Sequence, residues 1–148
     1  MAHTEGCALP ATRGHSVSDS LVYIDRSDVR DGKLEEVRKG IRELVEFVEA
    51  HEPRLIAYGF YFNERGTGMT VVAVHPDSAS MEFHLEVGGP AFRKLSELIE
   101  LRTIDVYGRP SEKVLGQLQH KMEMLGKSGR VVVHQLDAGF MRLVSATI

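Results

Sequence analysis

Between Lys33 and Ala50, apolar residues recur at three- and four-residue steps, at Leu34, Val37, Ile41, Leu44, Val45 and Val48. This spacing predicts a helix with a single apolar stripe, and such a stripe demands a covering surface elsewhere in the chain. The opposite side carries Glu35, Glu36, Arg38, Lys39, Arg42, Glu43, Glu46 and Glu49, the pattern of a solvated face rather than of a binding site. On both sides the period changes to that of strands. Leu21-Val22-Tyr23-Ile24-Asp25-Arg26, running on toward Val29, is β-branched and aromatic, and Arg30-Asp31-Gly32-Lys33 supplies a turn before the helix. Pro53 ends the helix, and Leu55 to Phe62 reads as a strand with aromatic residues on both faces, so both faces need cover.

Asn63 to Gly68 is a loop with two glycines, and Met69 to Val74 returns as the antiparallel partner of a hairpin. Asp77-Ser78 offers a cap for a helix over Ala79–Val87, which Gly88-Gly89 is expected to end. A second helical piece is expected from Pro90, with Ala91, Phe92, Leu95, Leu98 and Ile99 as its buried stripe. Leu101 to Tyr107 alternates as a fourth strand. The order β-α-β-β-α-β is the split βαβ unit of a ferredoxin-like α+β fold, one sheet with its helices on one face. After it, Ser111 caps a helix with its stripe at Val114, Leu115, Leu118, Met122 and Leu125. Gly126 to Gly129 then turns into a strand over Arg130–Leu136, and Phe140 to Val144 reads as another. The organisation expected is a leader over residues 1–18, a ferredoxin-like domain over 19–108, and a C-terminal helix and strand extension of that domain over 109–148.

Composition narrows the function classes. A chain of 148 residues has room for one core. No run approaches the roughly 18 apolar residues of a membrane span. The net charge of −3 is spread without a basic stripe, so neither membrane nor nucleic acid is expected as a partner. Cys7 is the single cysteine, which excludes a disulfide framework within the chain and fits a reducing, cytoplasmic setting. The first residues lack the positive start and apolar middle of a signal peptide. Gly66-Thr67-Gly68 is a hairpin turn with no helix after it, not a phosphate loop. His3, His15, His51, His120 and His134 lack zinc-site spacing, no nucleophile-elbow motif is present, and no metal is expected.

The segment His75 to Leu85 carries most information: a strand end, a capped turn and a helix with one imidazole, His84, among apolar neighbours. Together with two other places it resembles the antibiotic biosynthesis monooxygenase family. Val29-Arg30-Asp31-Gly32-Lys33 stands where that family turns from its first strand into a long charged helix. Glu52-Pro53-Arg54-Leu55 matches its Glu-Pro-Gly turn, and Met81-Glu82-Phe83-His84-Leu85 its Phe-x-x-His-Leu helix or a close variant. The likeness covers about residues 20–107. It implies a homodimer whose sheets meet as an α+β barrel, with a pocket between sheet and helices. It also implies oxidation of an aromatic, phenolic or quinol-like small molecule by oxygen without a cofactor. An electron-rich substrate anion can itself reduce oxygen, so the protein supplies a group that deprotonates or orients the substrate and a dry cavity around it.

His84 is the catalytic candidate, because an imidazole accepts a proton near neutral pH. The plainer alternative is a packed histidine bonded to a backbone carbonyl. Tyr23, Tyr58, Phe60, Phe62, His75 and Phe83 are the candidates to bind a flat ring, and otherwise belong to core or interface. Alternation puts Tyr58, Phe60 and Phe62 on one side of their strand and Tyr61, with Leu55 and Ala57, on the other. One set should meet the helices and the other a second subunit. His75 departs from the family, which has an aromatic there, often Trp. It reads as the solvated end of an exposed strand, or else as a polar group at the cavity mouth. Haem-degrading relatives pair a helix histidine with an Asn on the first strand and a Trp; Leu21 to Arg26 has no Asn and the chain no Trp, so no haem is expected. The enzyme reading requires His84 to face a cavity that admits an aromatic ring. Its rivals are a non-catalytic ligand-binding protein or a dimeric interaction protein of the same fold.

Overall fold

The computed structural model describes residues 19–142, and the leader over 1–18 and the positions Leu143 and Val144 lie outside them. The elements are β1 (Leu21–Val29), α1 (Leu34–His51), β2 (Ala57–Phe62), β3 (Gly68–His75), α2 (Ser78–Leu95), β4 (Ile99–Tyr107), α3 (Glu112–Leu125) and β5 (Arg130–His134). They build one sheet in the order β2-β3-β1-β4-β5. The first four strands have the antiparallel ferredoxin-like arrangement, and β5 adds in parallel to the outer side of β4. This is the α+β architecture expected of the pattern, with β1 as the central strand.

Strand alternation decides what meets the helices. On β1 the inward positions are Leu21, Tyr23, Asp25, Ser27 and Val29, all buried. On β3 they are Met69, Val71, Ala73 and His75. Val37, Ile41, Leu44 and Val48 of α1 close over one half of this face, and α2 and α3 pack together over the other. Tyr58, Phe60 and Phe62 of β2 join the same core, whereas Tyr61 points away and is 61% exposed.

Three expectations change. Gly88-Gly89 does not stop the second helix; α2 runs unbroken from Ser78 to Leu95 with Pro90 inside it. Neither glycine takes the positive φ of a helix-ending cap. The cause is packing: Phe92 and Leu95 are buried in the core, and a Cβ on Gly88 would stand 2.6 Å from the Phe92 ring, so the missing side chain makes room for that ring. Ile99, placed by periodicity on the helix, opens β4 instead and pairs with Val29. Phe140, Met141 and Arg142 form no strand.

The extension is fastened to the domain. Ser111 caps α3 by accepting from the Val114 amide (3.1 Å) and donates to Glu82 of α2 (2.9 Å). At its other end α3 comes down onto β4 at Gly126, where a Cβ would overlap the carbonyl oxygen of Leu101. Gly126→Ala should therefore cost about 1–3 kcal/mol, the usual range for overpacking where neighbouring backbone must shift. Urea unfolding of the variant against the native chain measures it, and an unchanged midpoint would show that α3 is not seated on β4 at this glycine.

Candidate functional site

Asp77 caps α2 by accepting from the Ser80 amide at 2.9 Å and is paired with Arg54, which fixes where the helix starts. His84 then faces inward and is 5% exposed. Its Nδ1 lies 2.8 and 3.0 Å from the two oxygens of Glu52, itself buried at the end of α1. A carboxylate only accepts, so Nδ1 carries the proton and the lone pair of the neutral ring is on Nε2. Tyr58 packs edge-on against the ring at 5.1 Å and Phe92 at 5.8 Å.

A second polar group stands across the same interior space. Tyr23 donates to Asp25 at 2.5 Å, and Lys121 of α3 donates to Tyr23 Oη at 2.8 Å with Asp25 Oδ2 3.4 Å away. The ammonium also sits over the rings of Phe92 (4.3 Å) and Tyr23 (4.9 Å). Burial, and then the Asp25 charge, hold the Tyr23 hydroxyl well above the ordinary phenol range. Burial raises Tyr58 as well, with Asp25 and Glu52 adding to it, so both phenols stay protonated and can donate. Burial lowers Lys121, against the opposing pull of Asp25.

Tyr23, Asp25, Tyr58, Phe60, His84 and Lys121 line one narrow cavity, and Phe92 closes it on the α2 side. Its volume of about 20 Å³ is enough for roughly one water and far too little for an aromatic ring. The ring-sized space required by the enzyme reading is thus not open in this conformation. Chemically the arrangement offers a proton acceptor at His84 Nε2 and, lining the same cavity, the Lys121 ammonium as a cation for a developing oxyanion.

The sequence candidates divide accordingly. His84, Tyr23, Tyr58 and Phe60 come together. Phe62 lies farther along β2, under the guanidinium of Arg38 at 5.6 Å, and Phe83 is 47% exposed on the outer side of α2. His75 corrects the expectation of a solvated strand end: it is completely buried, because it pairs with Leu21 of the central strand and faces the helices. It contacts Ser80 Oγ through Nδ1 (2.9 Å) and its ring is 5.5 Å from that of His84. Its buried Nε2 has no hydrogen-bond partner among the described residues. The partner of His84 is a side-chain carboxylate and not the backbone carbonyl of the plainer reading.

Glu52, Asp25, Lys121 and Phe92 were not among the sequence candidates. Two of them left a signal. Asp25 occupies an inward position of the β1 alternation, and Lys121 falls seven residues after Val114 on the α3 stripe, so each is a charge placed where an apolar residue is due. Among the described residues no group of His, Cys, Asp and Glu side chains converges as a metal site, and no helix is long and apolar enough to cross a membrane.

No family model and no curated protein matches this sequence. Solved structures do match its fold. MupZ from Pseudomonas fluorescens superposes with a TM-score of 0.66 at 20% identity, over 84% of this chain and 95% of its own. That cover reaches beyond the βαββαβ unit. A conserved protein from Methanosarcina mazei Go1 has a TM-score of 0.56 at 22% identity, over 62% of this chain and 94% of its own. SnoaB, a cofactor-independent oxygenase from Streptomyces nogalater, has a TM-score of 0.53 at 17% identity, over 63% of this chain and 95% of its own. At these identities the likeness is one of fold: the chain has the ferredoxin-like α+β fold that these proteins share.

The buried His75 gives the site a pH dependence. Burial, helped by the neighbouring His84, lowers its pKa from 6.5 to about 3. In the unfolded chain it takes a proton below about pH 6.5, whereas the folded protein resists until about pH 3. Stability from this group is therefore complete above pH 6.5 and drains as pH falls toward 3, at up to about 1.4 kcal/mol per pH unit. Urea unfolding across this window should show a shallower pH slope for His75→Gln than for the native chain. Identical slopes would mean that the folded protein does not keep His75 neutral.

Proposed function

We propose that this protein is a cofactor-independent monooxygenase of a small phenolic or quinol-like molecule. The observation that supports it most is the pair of polar groups facing one another across a single cavity, Glu52–His84 on one side and Lys121–Tyr23–Asp25 on the other. His84 Nε2 takes the phenolic proton. Lys121, oriented by Tyr23 and Asp25, then holds the phenolate in a site shielded from water, where a cation is worth more than in solution. The phenolate gives one electron to oxygen, and the superoxide and phenoxyl radical combine at a ring carbon. Loss of water from the resulting hydroperoxide leaves a carbonyl there. One oxygen atom ends in the product and the other in water, so the substrate supplies all four electrons and a hydroquinone becomes a hydroxyquinone. SnoaB, with the same fold, is described as a cofactor-independent oxygenase.

The reaction needs a larger cavity, and α2 is the element built to yield. Gly88 and Gly89 weaken its middle, and Pro90 has no amide hydrogen to give the Glu86 carbonyl. Oxygen uptake with a panel of hydroquinones tests the reading. His84→Ala should lower kcat by roughly a hundredfold or more, the usual contribution of a placed general base. Equal rates would remove His84 from the mechanism. No uptake by the native chain would favour the second reading, a non-catalytic small-ligand-binding or dimeric interaction protein of the same fold.

The other side of the sheet is read as the contact with a second copy. Val22, Ile24, Val72 and Val74 form a half-buried apolar band there, flanked by the exposed Tyr61. Light scattering should give twice the chain mass of 16.5 kDa, and Val72→Asp, which puts a charge in the middle of the band, should give the single mass. A monomeric native chain would exclude the barrel dimer.

A further inference from the structure

On the outer side of Phe92, α2 and α3 enclose a groove of about 520 Å³, within the size range of small-molecule sites. Phe92 and Lys121 line both this groove and the inner cavity, so one ring and one ammonium stand between them. Two glycines hold the groove open, Gly89 on α2 and Gly116 on α3, since a Cβ on either would meet nothing within 4 Å. Its charge is unbalanced. Lys113 is paired with Glu86 at 2.6 Å and Lys121 is answered by Asp25, but Arg93 and His120 have no ion pair or hydrogen-bond partner for their side chains among the described residues. Gln117 gives its amide to the Glu82 carbonyl at 3.2 Å, while its buried Oε1 has no partner among the described residues and is left to accept.

The geometry points to the α2–α3 groove as a binding site for a carboxylate-bearing phenol. Arg93 and His120 hold the carboxylate, Gln117 Oε1 accepts from a hydroxyl, and the ring lies toward Phe92 and the inner cavity. This deepens the oxygenase reading by giving its substrate an acidic end, and it rests on that reading only for the fate of the phenol. It also gives α3 a task of its own, because the groove has no second wall without it.

Calorimetry with gentisate, a carboxylated hydroquinone, and with hydroquinone as the carboxylate-free control tests the site. The native chain should bind gentisate more tightly than hydroquinone. Arg93→Glu should weaken gentisate binding by roughly tenfold or more, the loss expected for a charge-assisted hydrogen bond. Gly116→Leu puts a side chain into the groove at a position where a Cβ meets nothing within 4 Å, and it replaces a poor helix former, so it should abolish binding with an unchanged or raised melting temperature. No gentisate binding by the native chain, or equal affinity in all three proteins, would overturn the proposal. Oxygen uptake is read separately. Binding that follows the variants without uptake sustains the groove and removes the oxygenase; uptake of gentisate indifferent to both variants removes the groove.

Discussion

Asp25 lies on the inward face of the central strand and is 3% exposed. A buried charge costs several kcal/mol unless a counter-charge and hydrogen bonds accompany it. Tyr23 supplies the hydrogen bond from two residues away, but the counter-charge comes from Lys121 on α3, 96 residues along the chain. This one requirement turns the C-terminal helix from an appendage into part of the core. Val114, Leu118, Met122 and Leu125 of α3 are buried alongside it, and β5 follows by extending the sheet.

The bond between Glu52 and His84 does for α1 and α2 what Asp25 does for α3. It ties the end of one helix to the middle of the next across 32 residues, and it sets the tautomer that leaves Nε2 available. His75 sits behind this ring, neutral because its surroundings are dry, and a neutral neighbour adds no repulsion when His84 accepts a proton. The same enclosure raises Tyr23 and Tyr58, so the phenols that line the cavity stay protonated.

α2 carries the contradiction between closure and access. Its two glycines and proline are poor helix formers, yet the helix continues through them because Phe92 needs the space beside Gly88 and because Phe92 and Leu95 bury apolar surface. Tertiary contacts thus sustain a segment with little intrinsic helicity. This segment lies between the closed cavity and the open groove.

Much of the fold was legible in the sequence. Periods of two and of 3.6, the caps at Asp77 and Ser111 and the hairpin at Asn63–Gly68 are local signals, and they yield the βαββαβ order with its added helix and strand. His84 was legible too, as an imidazole on an apolar helix face. Its partner Glu52 was not, nor was the meeting of Asp25 with Lys121, because hydrogen bonds between residues 32 and 96 apart depend on how layers stack and not on any local pattern. Where local propensity and packing disagreed, at Gly88-Gly89 and at His75, packing prevailed. The chain alone determined which residues form strands and helices and which faces turn inward. Only the tertiary structure decided which buried charges meet, since their desolvation can be offset solely by partners that folding brings to them.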